Sequence, residues 1–237
     1  MTRCEMIWTT AGVIRTCPRC PEINGKIIGY TDEVGVQLPP LHPRCRCAIM
    51  YKEVGDRPQR APRWRRQEHF STSDENIPAT NSNYNLGAAY QNNCQKCVPA
   101  YEMRMRGYDV TARPTFDLKT DGFAQDNWDK AFKNAIVQEG FAGSGKAEVI
   151  NRMKLFGDGA RAEVYVAWQD GAAHVFVAEN RNGKIHFLDP QTGELDVEYY
   201  FEHVLSGLTK LLRMDNLETD EKNIKWCCKE VKRNADT

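Results

Sequence analysis

The order of local signals predicts an α+β fold, in which a helix with cysteine at its head precedes an antiparallel sheet carrying a histidine and an aspartate. Three observations carry this reading. Val98 to Arg106 has helical character and stops at Gly107, with Cys94 and Cys97 at its start. Two apolar runs, beginning at His174 and ending at Asp189, flank Asn182-Gly183, the strongest short-range hairpin signal. Ala162 to Trp168 and Leu211 to Met214 offer two further strands.

Composition bounds what surrounds these elements. With 41% hydrophobic and 27% charged residues, the 237-residue chain is expected to be a soluble globular protein of one or two domains. Lys plus Arg equals Asp plus Glu at 32 each, so no global field draws the protein to nucleic acid or to a membrane. It lacks an 18-residue apolar run, and its polar start lacks the apolar core of a signal peptide, so synthesis in the cytoplasm is expected.

Residues 1–51 read as a small Cys/His-rich module. Cys17-Pro-Arg-Cys20 is followed by His42-Pro-Arg-Cys45-Arg-Cys47, and two short cysteine pairs at this separation suit tetrahedral zinc, with His42 as a substitute ligand. Reduced thiols or a disulfide knot are the alternative. Residues 52–83 read as a flexible basic and polar linker: Arg57, Arg60, Arg63, Arg65 and Arg66 crowd together with two prolines, and a Ser/Thr/Asn/Asp-rich stretch follows. A solvated tether is favoured there over a nucleic-acid or capsid contact.

A second domain is expected over 84–217. Pro99 argues for a helix start later than Cys94, because proline is tolerated only in a first turn. Tyr108 to Ala112 is a short strand before Pro114. Asn127 or Asp126 caps a helix whose Trp128, Ala131, Phe132, Ala135 and Ile136 recur at helical spacing and form a core stripe. Ser144 caps a helix that turns Val149, Ile150, Met153 and Leu155 inward and ends at Gly157. Val197 to Leu205 looks helical. Residues 218–237 read as a charged tail, in which Trp226-Cys227-Cys228 docks a short helix.

The chemistry lies in three residues. A thiol at a helix N-terminus feels the positive end of the dipole, which favours thiolate. It needs an imidazole to take its proton and a third group to orient that imidazole. If Arg181 and Asn182 straddle the hairpin tip, His174 faces Asp189; if Asn182-Gly183 is the turn, His174 faces Gln191 and Asp189 is a diagonal neighbour. Both registers keep the carboxylate within reach. Singly, His174 could be a core histidine and Asp189-Pro190 a turn; together they compose a site.

Asn93-Cys94-Gln-Lys-Cys97-Val-Pro-Ala-Tyr-Glu-Met-Arg-Met-Arg-Gly107, with His174-Val-Phe and Phe187-Leu-Asp189-Pro-Gln-Thr-Gly193, resembles the papain-fold toxin family of polymorphic bacterial toxins, also described as toxin glutamine deamidases. The resemblance covers about 84–217. It implies a papain-like fold, a Cys-His-Asp triad, amide hydrolysis without a catalytic cofactor, a target protein bearing a glutamine, and a cognate immunity protein. Asn-Cys94 matches the family's signature, whereas Gln91, six residues ahead of Cys97, echoes papain's spacing of oxyanion glutamine and nucleophile. Cys94 is favoured, with Cys97 as the alternative nucleophile, and Gln91 or Gln191 as oxyanion donor. Ammonia as leaving group makes a deamidase, a main-chain amine a protease, and a substrate amine in place of water a transglutaminase.

A second resemblance covers about 5–51. Trp8-Thr-Thr-Ala-Gly, Cys17-Pro-Arg-Cys20, Gly25-Lys and Pro39-Pro-Leu-His42-Pro-Arg-Cys45-Arg-Cys47 are similar to the end of phage minor head proteins of the Mu head-morphogenesis type. This chain lacks the long helical region that precedes that tail. The fusion implies a phage- or prophage-encoded toxin, associated with the capsid or delivered into a target cell. The competing readings are a non-enzymatic head-associated protein and a metal-binding domain built on Cys94, Cys97, Cys227 and Cys228.

Overall fold

A computed structural model describes residues 4–9, 26–30, 48–53, 64–69, 71–116 and 127–231. The chain divides between Gln59 and Arg60. In the first unit, β1 (Cys4–Thr9) pairs antiparallel with β2 (Ile27–Tyr30) and β3 (Ala48–Glu53), in the order β2-β1-β3. Met6 and Ile28 are buried in it.

The second unit is a mixture of helix and antiparallel sheet. Its helices α1 (Ser73–Thr80), α2 (Ala88–Gln91) and α3 (Cys94–Met105) come first. After β4 (Val110–Ala112) come β5 (Val137–Gln138) and α4 (Lys146–Phe156). Strands β6 (Arg161–Ala167), β7 (Ala173–Arg181), β8 (Lys184–Leu188) and β9 (Lys210–Arg213) join β5 in a five-stranded antiparallel sheet of order β5-β9-β6-β7-β8. Last, α5 (Glu221–Cys227) leads into β10 (Cys228–Glu230), which pairs with β4.

Helices cover both faces of the sheet, so both sets of alternating side chains are buried. Val175, Val177 and Leu212 pack with α3, whereas Val164, Val166, Phe176 and Leu211 pack with Val149, Met153 and Phe156 of α4. Helix α3 is buried nearly all round, because α1, β4, α5 and β7 each contact it. Its charged side chain Glu102 has no exposure and lies between Arg106 (2.8 Å) and Arg161 of β6 (2.7 Å). Burial would raise the carboxyl's pKa, but the two guanidinium groups more than offset it and hold the acid ionised. This ion triad fastens α3 to the sheet.

The hairpin takes the Asn182-Gly183 turn, with Arg181 opposite Lys184 and Val177 opposite Leu188. Both turn residues have positive φ, 54° and 83°, as a type I′ turn requires.

Three expectations are corrected. The stretch 71–83 is not a tether: Thr72 and Glu75 form a reciprocal capping box, Ile77 is fully buried, and Ser73 bonds Glu179 of β7 at 2.7 Å. Arg65 and Arg66 also pack on this unit, the latter 3.9 Å over the Tyr108 ring. The short helix expected to dock within 218–237 is present, with Ile224, Cys227 and Cys228 fully buried beside α3. The stretch 127–136 does bury Trp128, Ala131 and Phe132, but as turns rather than a helix. Its backbone bonds run to the C-terminal segment, Lys133 N–H to Glu218 O and Asp220 N–H to Ala131 O, and Asn134 sits at φ 54°. Over 197–205 only Glu198–Phe201 is helical, as a 3₁₀ turn. Smaller differences follow the same logic. Gly145 rather than Ser144 caps α4, and Phe156 rather than Leu155 turns inward.

Two buried acids of α3 and β6 make opposite predictions. Glu102→Ala strands two arginines and should cost about 3–5 kcal/mol in urea unfolding; a loss under 1 kcal/mol would mean the triad is not holding the helix. Glu163 is fully buried on the α3 side of β6, and among the described residues neither carboxyl oxygen has a hydrogen-bond partner. Burial, with the charges of Cys94 and Asp129 adding, raises its pKa well above 4.5. Glu163→Met should therefore stabilise the fold by about 1–3 kcal/mol. The gain should widen as pH rises above 4.5, where only the unfolded wild-type acid ionises freely. Urea midpoints at several pH values check both the sign and the trend, and a variant less stable throughout would refute the assignment.

Candidate active site

Three elements converge at the head of α3. Cys94 is the first residue of that helix and is partly exposed. His174 is the second residue of β7, and Asp189 follows the last residue of β8. The turn register therefore makes Asp189 the diagonal neighbour of His174, and the ring Nε2 lies 3.0 Å from Asp189 Oδ2. The Cys94 side chain is close enough to the ring to raise its basicity.

Burial lowers the pKa of the His174 ring, but the bond to Asp189, the nearby Cys94 and the charges of both outweigh it and raise the value to about 10. Asp189 has no exposure, which opposes its charge. The bond to His174, the imidazolium charge, the Gln191 N–H (2.7 Å) and the Tyr200 hydroxyl (2.9 Å) reverse that and hold its pKa low. The result is a buried ion pair with every carboxylate oxygen occupied. Aromatic rings enclose the imidazole: Trp168 stacks on it at 19° and 6.2 Å, and Tyr200 meets it edge-on at 5.4 Å. Trp168 Nε1–H in turn donates to Tyr200 O, which fixes the cage.

Cys97 occupies a different environment. It is fully buried, its thiol donates to Asn93 Oδ1 at 3.3 Å, and burial and the Asp189 charge push its pKa up. It packs beneath the site. Pro99 sits inside α3 rather than in its first turn, so the helix starts at Cys94 despite it.

The N-cap residue Asn93 does not use its side chain to cap. Its Oδ1 accepts from Gln191 Nε2 (3.3 Å) and Asn81 Nδ2 (3.4 Å), and its Nδ2 donates to Arg113 O (3.0 Å). Asn81, just past α1, also donates to Gln191 O at 2.9 Å. A buried amide network thus joins the helix head to the loop behind Asp189. Gln191 belongs to it, whereas Gln91 is exposed at the end of α2 with its amide directed to Tyr84 O.

Asn81, Trp168 and Tyr200 were not singled out in the sequence. Thr72-x-x-Glu75, a capping-box signature, could have flagged the helix that delivers Asn81; nothing local flags Tyr200. The five candidate zinc ligands, Cys17, Cys20, His42, Cys45 and Cys47, lie outside the described residues. Among the described residues no group of three or more His, Cys, Asp or Glu side chains is placed to hold a metal ion, and no helix is long and apolar enough to cross a membrane.

Residues 92–194 match the family model of Papain fold toxin 1, glutamine deamidase. The matched segment contains Cys94, Cys97, His174, Asp189 and Gln191, and leaves Asn81, Gln91 and Tyr200 outside. Residues 2–50 match the family model of Phage Mu protein F like protein. The chain therefore carries one segment similar to a phage family, followed by one similar to a toxin family. No curated protein and no solved structure matches it.

The His174–Asp189 pair has a signature in stability. A histidine raised from 6.5 to about 10 stabilises the fold fully below pH 6.5 and loses that contribution as pH rises through 10. Asp189, lowered from 3.8, contributes above that value and loses its share as pH falls. Wild-type melting temperature should therefore drop between pH 6.5 and 10 more steeply than that of His174→Gln; parallel curves would remove the ion pair from the account.

Proposed function

We propose that residues 60–237 form a cysteine-dependent amidohydrolase that deamidates a glutamine side chain of a target protein, and that the chain is a phage- or prophage-encoded toxin. The observation that carries the reading is His174, hydrogen-bonded to a buried carboxylate and close enough to the thiol at a helix head for that group to raise its basicity. A structural histidine needs no such thiol. The family match supports glutamine, rather than a main-chain amide, as the group attacked.

His174, held at about 10, carries a proton at neutral pH, so in this reading the resting site already has the thiol proton on the imidazole, beside the sulfur. The Cys94 thiolate attacks the carboxamide carbon, and the electron pair moves onto oxygen. The Cys94 backbone N–H, an orphan donor at the helix start, and the Gln191 amide are the oxyanion donors best supported by the geometry; Gln91 is directed elsewhere. His174 returns its proton to nitrogen and ammonia leaves, giving a thioester. Water, losing a proton to His174, attacks the thioester; glutamate is released and the thiol is restored. Asp189 keeps the imidazole in one orientation and stabilises its charged form, and Tyr200 and the Gln191 N–H hold Asp189.

In this reading the target protein bears a susceptible glutamine and an immunity protein protects the producing cell. The phage-family segment serves capsid association or delivery.

Expression of the full chain in bacteria, with growth and ammonia release recorded, tests the assignment. Cys94→Ala and His174→Ala should abolish both, Asp189→Asn should slow ammonia release about 10³–10⁴-fold, and Cys97→Ala should retain activity. Toxicity surviving Cys94→Ala and His174→Ala would end the enzymatic reading. Peptide cleavage or amine incorporation in place of ammonia release would redirect it to a protease or a transglutaminase.

A further inference from the structure

Cys94-Gln95-Lys96-Cys97 is a Cys-x-x-Cys pair at the head of a helix, and its two thiols stand in unlike surroundings. Of the free cysteines 94, 97, 227 and 228, Cys94 alone is part-exposed, and Cys97 has no exposure. Residues three apart on a helix are neighbours on its surface, with Cβ atoms about 5–6 Å apart. The charge of Cys94 accordingly acts on Cys97. The Cys97 thiol donates to Asn93 Oδ1 at 3.3 Å, which turns its sulfur back towards the start of the helix, where Cys94 sits.

A disulfide needs a Cβ separation of about 3.5–4.5 Å, so the first turn of α3 must tighten by about 1–2 Å to join the two sulfurs. Few backbone bonds hold that turn. Lys96 N–H (2.8 Å) and Cys97 N–H (3.0 Å) share one acceptor, Asn93 O. The Asn93 side chain does not cap the helix. Pro99, inside α3, has no N–H to give the Gln95 carbonyl, so the helical bond that would fasten residue 95 to the next turn is missing.

A thiolate that solvent reaches, with a second thiol behind it, is the arrangement that reacts reversibly with peroxide. We infer that Cys94 and Cys97 form a redox couple: hydrogen peroxide converts them to a disulfide that silences the hydrolase, and reducing thiols restore it. This rests on the reading of Cys94 as nucleophile and adds a control of that same site. The Cys94 sulfur attacks one peroxide oxygen and the O–O bond breaks. The departing hydroxide takes the His174 proton and leaves as water, and Cys94 becomes a sulfenic acid. The Cys97 sulfur then attacks the Cys94 sulfur; the S–O bond breaks, and the hydroxyl leaves with the Cys97 proton as a second water. The two sulfurs together give up two electrons, and the peroxide takes them. Loss of charge on Cys94 also removes one of the causes that keep the proton on Cys97, so the second thiol ionises more easily once the first is oxidised. A reducing cytoplasm reverses the bond by thiol exchange and frees the nucleophile.

The test exposes the purified full chain to hydrogen peroxide and then to dithiothreitol. Ammonia release from a small glutamine amide and the state of each cysteine are followed in parallel. Trypsin cuts after Lys96, so a Cys94–Cys97 bond appears as two peptides joined by a link that thiols break. Wild type should lose at least about tenfold in ammonia release and regain it to within about twofold on reduction, as the joined peptides appear and vanish. Cys97→Ala should start with unchanged activity but recover at least about fivefold less, because its sulfenic acid meets no neighbouring thiol and proceeds to sulfinic acid, which dithiothreitol does not reduce. Cys97→Ser repeats the comparison should the alanine variant fail to fold. In Cys94→Ala, Cys97 should stay reduced. Wild-type Cys94 found as sulfinic acid, or joined to any cysteine other than Cys97, would overturn the inference, as would full recovery of Cys97→Ala. If the joined peptides form and no substrate yields ammonia, the reaction assignment fails while the redox couple stands; ammonia release with no joined peptides after peroxide means the reverse.

Discussion

The charge on Asp189 is the constraint from which the site follows. A carboxylate with no access to water is tolerated only when its oxygens are bonded and a counter-charge is adjacent. Here the counter-charge is the His174 ring, and the remaining bonds come from Tyr200 and the Gln191 backbone. Each partner arrives from a different piece of chain: the start of β7, the 3₁₀ turn after β8, and the tight loop itself, closed by Asp189 N–H on Glu194 O and Gly193 N–H on Asp189 O. Gly193 has φ 86°, a conformation that this closure needs and that a side chain would strain. The raised basicity of His174 is therefore the local expression of a structural requirement, the neutralisation of one buried acid.

A pair of charges does not by itself place a thiol. That is the work of the amide network, in which Asn93 gives up side-chain capping of its own helix and bonds Asn81, Gln191 and Arg113 instead. Because Gln191 is two residues from Asp189 and Asn93 is next to Cys94, the distance between the two ends of the site is set by side-chain amides. The Glu102 triad fixes the same helix to β6 one face away. Helix α3 is thus held at its head by neutral bonds and at its far end by ionic ones.

Much of this arrangement was legible in the chain, and what was illegible has a common cause. The Asn182-Gly183 turn encodes its geometry in two residues, and with it the proximity of His174 and Asp189. Local information suffices there. It fails for 127–136, where helical spacing of Trp128, Ala131 and Phe132 correctly marked burial but not backbone, because the backbone partners are contributed by residues 218–220, almost ninety positions away by sequence number. It fails again for 71–83, whose polar composition reads as a tether, whereas the charged 218–231 is read with a docked short helix and has one. A few apolar side chains, Ile77 in one and Ile224 in the other, suffice to seat these segments because α3 needs covering on every side. Polar composition forbids an independent core, not participation in a neighbouring one.

The same demand for covering explains how residues of one type acquire different chemistry. Cys94 and Cys97 are one helical turn apart, and Asp189 and Glu163 are both acids without exposure. Cys97 faces inward among Val98, Tyr101 and the sheet, and burial keeps its proton on sulfur; Cys94 is partly open and meets an imidazole. Glu163 has no side-chain hydrogen-bond partner among the described residues and is driven towards its neutral form, while Asp189 has three and is driven towards its anion. Environments that push like groups apart in this way are how a fold assigns acid, base and bystander. Here a thiol and an acid at the rim of the core meet the imidazole that lies between them, and a thiol and an acid deeper under α3 meet none. The division follows from where the α3 head ends and the sheet edge begins, so the depth of the helix in the core separates the part-exposed cysteine beside the imidazole from the buried one.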